Sequence, residues 1–87
     1  MNELEDLREY IDELDDDLLE LLSQRFDLVK RVKAVKKENG IGTLQQDRFD
    51  DILSRLTSES VEKGLEPEMD KEIWEVIHKY SLKVQES

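Results

Sequence analysis

Arg25 occupies a position at which the surrounding pattern calls for an apolar side chain. Apolar residues fall at Leu4, Leu7, Ile11, Leu14, Leu18 and Leu21, then at Leu28, Val32 and Val35, in alternating steps of three and four. That is the seam of a long helix packed on other helices, and position 25 is its missing member. A cation on such a seam needs a partner. It can fix register, form an internal salt bridge, or hold an anionic ligand. Lys36 lies about 20° around the helix from Arg25 and roughly 16 Å along it, close enough for both side chains to converge on a small ligand.

Further polar groups fit the third possibility. Ser81 and Gln85 form an i, i+4 pair able to donate hydrogen bonds from one face of the last helix, and Ser81 again replaces an apolar seam residue. Arg48 follows the glutamine pair Gln45 and Gln46. Arg8 is about 25 Å from Arg25 and rotated by about 100°, out of reach of the same pocket in one chain. Across two antiparallel long helices it reaches the partner's pocket. The plainer readings are a solvated cation for Arg8, a basic surface patch for Lys36 and a surface arginine near Asp51 for Arg48.

Cations, an amide and a hydroxyl without a titrating acid or base suit one task, which is to bind a dianion and stabilise developing negative charge without proton transfer. Other chemistries lack their residues. There is no cysteine, hence no thiolate nucleophile, thiolate metal site or disulfide. His78 is the only histidine, has no metal-ligand company on its helix, and reads as incidental. The run Asp15-Asp16-Asp17 lacks the spacing and glycine of a calcium loop. Ser54, Ser58 and Ser60 have no histidine at plausible reach, and no glycine-rich phosphate loop occurs.

Eighty-seven residues allow one domain, residues 1–87, with a modest core. A charged fraction of 41% and mean hydropathy of -0.72 would also suit a disordered acidic chain, but the strict apolar periodicity decides for folded helices. A net charge of -10 argues against nucleic acid or an anionic membrane as partner. No apolar run approaches a membrane span and no basic-then-apolar start is present, so a cytoplasmic location is expected. Ten acids and only Arg8 lie between Glu3 and Glu20, whereas Arg25, Lys30, Arg31, Lys33, Lys36 and Lys37 face Asp27 alone. That is either a solvated charged face or a helix polarised for antiparallel pairing.

The elements that carry these residues are three helices, an all-α class. The first is predicted from about Glu3 to Glu38, closed by Asn39-Gly40, and at roughly 50 Å it is too long for one small globule to cover. The second runs from about Gln46 to Lys63, with Ile52, Leu53 and Leu56 inward, and Gly64 closes it. Pro67 opens the third, with Glu68 and Asp70 complementing its dipole and Ile73, Trp74, Ile77, Ser81 and Val84 at helical spacing.

The run from Leu7 to Asp15, then Leu18 to Arg25, resembles the opening of the all-helical chorismate mutases. The likeness continues through Lys36, Asp47-Arg48, Ser81 and Gln85, so it spans nearly the whole chain. The resemblance implies an intertwined homodimer converting chorismate to prephenate with no cofactor and no metal. It implies that Arg25 and the partner's Arg8 hold the substrate carboxylates, that Lys36 and Gln85 donate to the ether oxygen, that Ser81 assists a carboxylate, and that Arg48 orders the ring end.

Two departures stand out. Many relatives carry a carboxylate where this chain has Phe49, and an aspartate near Gln45; here recognition of the substrate hydroxyl falls to Gln45 or a backbone group. The run Leu44-Gln45-Gln46-Asp47-Arg48-Phe49 resembles mutase domains fused to DAHP synthase, and that resemblance implies the synthase as a fused or associated partner. The alternatives are an isochorismate-pyruvate lyase on the same fold, and a non-catalytic helical dimer in which Arg25 only sets register.

Overall fold

The structure, a computed structural model, describes residues 2–42 and 46–86. It contains three helices, α1 (Glu3–Glu38), α2 (Gln46–Glu62) and α3 (Pro67–Glu86), as the periodicity predicts.

Each boundary has a local cause. The Asn2 side chain caps α1 by accepting from the Glu5 backbone N–H at 2.8 Å, and Glu3, Glu5 and Asp6 add negative charge where the helix dipole is positive. Lys36 and Lys37 complement the opposite end. There Gly40 takes a positive φ of 66°, Ile41 N–H donates to the Lys36 carbonyl at 2.8 Å and Gly40 N–H to the Lys37 carbonyl at 3.4 Å. This reversal needs the left-handed conformation that glycine adopts without strain. The same device ends α2: Gly64 has φ 74°, and Leu65 N–H donates to the Ser60 carbonyl at 2.9 Å. Pro67 stands first in α3, where its missing N–H is no loss, with Glu68 and Asp70 in the same turn.

α3 packs against both α1 and α2. It runs in the same sense as α1, because Leu18, Leu21 and Leu22 line one hollow with Ile73, Val76 and Ile77, while further along Arg25 meets Ser81 and Lys36 meets Gln85. α2 therefore reaches α1 only across the hollow that the three helices enclose.

No hydrophobic residue among those described is buried; the buried side chains are Ser60, Asp70 and Ser81. Every residue from Asn2 to Gln24 is exposed, including the seam, with Leu14 at 61% and Leu18 at 58%. The chain measures 58 × 24 × 15 Å with a radius of gyration of 16.5 Å, against about 12 Å for a compact domain of this length. Its accessible surface is 7191 Å², where a compact globule of 10.3 kDa would show about 5,400 Å². The apolar seam is therefore a face, not a core.

Candidate active site

Arg25 sits in the second half of α1, half-buried, with its guanidinium directed at α3. Its Nη1 donates to Ser81 Oγ at 2.9 Å, and its Cζ lies 5.4 Å from the centre of the Trp74 ring. The seam arginine is thus held by a hydroxyl and an aromatic face, with no carboxylate neutralising it among the described ion pairs. Burial, and then the nearby Arg48, push its pKa below the usual arginine value. Two cations facing one hollow repel each other, and an anion placed between them relieves that repulsion.

Ser81 is buried and its single hydroxyl proton goes to the Ile77 carbonyl at 2.8 Å. Its oxygen is therefore turned to accept from Arg25. One turn on, Gln85 Oε1 accepts from Lys36 Nζ at 2.7 Å and its Nε2 donates to the Ser81 carbonyl at 3.4 Å. That orients the amide nitrogen with a second hydrogen to spare.

These groups line one cavity of about 180 Å³ among the three helices, shared by Arg25 and Lys36 of α1, Arg48 and Phe49 of α2, and Ser81 and Gln85 of α3. Val29, Val32, Ile52 and Leu82 supply its apolar walls. Six of the eight residues singled out from the sequence are therefore brought together. Arg8 is not; it is exposed on the first half of α1 and lines no part of this cavity. Gln45 lies outside the described residues.

Two lining residues carry more than the sequence reading gave them. Trp74, read only as part of an apolar stripe, forms the face beneath Arg25. His78, read as incidental, stands in the cavity wall with its ring stacked on Phe49, centroids 3.7 Å apart and planes at 18°. The signal was present, since Trp74, His78, Ser81 and Gln85 step by four, three and four along one face of α3. Burial, then Arg25, lower the His78 pKa from its ordinary value, with Asp50 opposing, which favours the neutral ring.

Three cations, an oriented amide and apolar walls around one cavity have the chemistry to bind a compact anion. Comparison with known families gives the same answer more narrowly. Residues 7–86 match the chorismate mutase type II family. The chain belongs to that family, and its enzymatic class is that of chorismate mutase, an isomerase. A search of curated proteins gave no match to the chain.

Proposed function

We propose that this chain rearranges chorismate to prephenate in the Arg25–Lys36–Gln85 cavity, and that two copies share each active site. The observation that carries the reading is the convergence of Arg25, Lys36, Arg48 and the Gln85 amide on one hollow of substrate size, drawn from all three helices.

In this mechanism Arg25 takes one substrate carboxylate as a charge-assisted donor, held in place by Ser81 and Trp74. Ser81 acts mainly on Arg25, because its own proton is engaged by the Ile77 carbonyl. The partner subunit's Arg8 supplies the second carboxylate contact. Arg48 orders the ring end. Lys36 and the free amide hydrogen of Gln85 face the ether oxygen, which gains negative charge as its bond to carbon breaks while the new carbon–carbon bond forms. Electrons move within the substrate alone, so no proton transfer is required. Fixing the diaxial conformer lowers the entropic part of the barrier, and preset donors stabilise the polarised transition state. One such donor is worth roughly 3–4 kcal/mol.

The shared site rests on two features. Arg8 is too far along α1 to enter its own chain's cavity. The first half of α1 also presents an uncovered leucine seam, and the roughly 1,800 Å² of surface beyond a compact globule is what an obligate dimer buries per chain. The polarised charge of α1 favours an antiparallel mate. The likeness of the run from Leu44 to Phe49 to synthase-fused domains supports an association with DAHP synthase, and a cytoplasmic setting fits that assignment. No described helix is long and apolar enough to cross a membrane.

The test is chorismate depletion by the purified chain, followed spectroscopically with prephenate as product. Turnover is expected; a flat trace at high enzyme concentration would sink the reading. Release of pyruvate and salicylate from isochorismate, without prephenate from chorismate, would replace it with the lyase.

A further inference from the structure

A ring hydroxyl on the substrate needs an acceptor for its proton, and the other described groups around the cavity are donors, apolar, or already accepting. Arg25, Lys36 and Arg48 are donors only, as is the Trp74 indole. Phe49 has no polar atom. Ser81 Oγ already accepts from Arg25, and Gln85 Oε1 already accepts from Lys36. Among the described lining side chains, one has an acceptor that no described hydrogen bond uses, and it is His78.

Its setting suits the part. The Phe49 ring stacks against the face of the imidazole, which fixes the ring plane and leaves its edge, where both nitrogens lie, open to in-plane hydrogen bonding. The stacked pair separates the substrate cavity from a second, outer hollow lined by Glu75, Lys79, Lys83 and Glu86, so the ring borders the cavity without being sealed from it. The charged groups around it are Arg25 from α1, Arg48 and Asp50 from α2, and Glu75 and Lys79 from α3; burial and then Arg25 favour the neutral ring, against Asp50.

We propose that His78 accepts the hydrogen bond of the substrate's ring hydroxyl, and so selects the hydroxylated substrate, with Phe49 acting as the plate that aims it. This rests on the chorismate mutase reading of the cavity. It assigns to an α3 residue, through a neutral acceptor, a contact for which Phe49 has no chemistry.

The experiment compares chorismate with an analogue carrying hydrogen in place of the ring hydroxyl. Wild-type enzyme is expected to prefer chorismate by about tenfold or more in kcat/KM, the value of one buried hydrogen bond. His78→Phe keeps the stack but has no acceptor, so the preference should collapse to near unity, mainly through a raised KM for chorismate. His78→Gln should retain a good part of it. Equal discrimination by wild type and His78→Phe would overturn the proposal, and chorismate turnover in both would leave the mutase reading standing. No turnover by wild type would strike that reading instead.

A second measurement needs no variant. His78 is the only histidine, so its ring nitrogen resonances are unambiguous. Saturation with prephenate, which retains the hydroxyl, should move the unprotonated nitrogen, and the deoxy product should not. Identical shifts with both ligands would refute the contact even if His78→Phe failed to fold.

Discussion

Lys36 Nζ donates to Gln85 Oε1 at 2.7 Å across the gap between α1 and α3, and this contact decides which end of the amide faces the cavity. An amide turned by a cation presents its N–H to the cavity, and in the proposed mechanism the two residues act as one donor pair. Replacing Gln85 by glutamate keeps the Lys36 contact but removes the amide hydrogens. At neutral pH the Gln85→Glu carboxylate would be ionised and would oppose the charge developing on the ether oxygen. Activity is expected to fall on the order of 10²-fold at pH 7.5 and to recover as pH drops toward the carboxyl's pKa, where protonation restores a donor. A pH–rate profile that tracks the wild type would contradict the donor role.

Arg25 separates stability from function. Arg25→Leu completes the apolar seam and removes a half-buried cation that repels Arg48. Unfolding by urea should show stability equal to or above wild type, while kcat/KM drops by about 10²–10³-fold. Loss of both together would mean that the arginine is structural.

Ser81→Ala is expected to act indirectly. It removes the acceptor that holds Arg25, leaving the guanidinium on the Trp74 face alone. A tenfold fall in kcat/KM, about 1.4 kcal/mol, is expected from the lost hydrogen bond. Ser81→Thr, which keeps the hydroxyl, should restore most of it in steady-state assays.

Arg8→Ala and Lys36→Ala proteins should each be nearly inactive, although their mutated residues lie far apart in one chain. After subunit exchange at equal concentrations, about a quarter of all sites in a two-fold dimer would draw an intact Arg8 from one chain and an intact Lys36 from the other. Activity should rise toward that fraction of wild type. Verified exchange without recovery would rule out a shared site.

His78 also links stability to acidity. Its folded pKa lies below the ordinary 6.5, so on acidification the unfolded chain takes up this proton first. The linked contribution is nil above about pH 7.5 and turns against folding as pH falls through 6.5 toward the folded value. Urea midpoints across that window should fall more steeply for wild type than for His78→Phe.

The helices were legible because their signals are local. Asn2 with the acids behind it, Asn39-Gly40, Gly64 and Pro67 are end markers whose action depends on a few neighbouring residues, and the predicted and observed boundaries differ by one residue at the end of α2. Arg25 and Ser81 were also legible, as polar interruptions of an apolar period, and Lys36 and Gln85 as polar residues on the same faces. His78 was not, because its importance comes from a residue on another helix. A lone histidine means little until Phe49 is stacked on it, and no spacing rule links position 49 to position 78. The direction of the Gln85 amide was hidden for the same reason, since a partner 49 residues away sets it.

The bare leucine seam on the first half of α1 bears on how the chain survives in a cell. In a lone chain that stripe is open to proteases and chaperones, and the proposed dimer would cover it. Because mass action fills a dimer as concentration rises, the lifetime of the chain would then rise with its abundance.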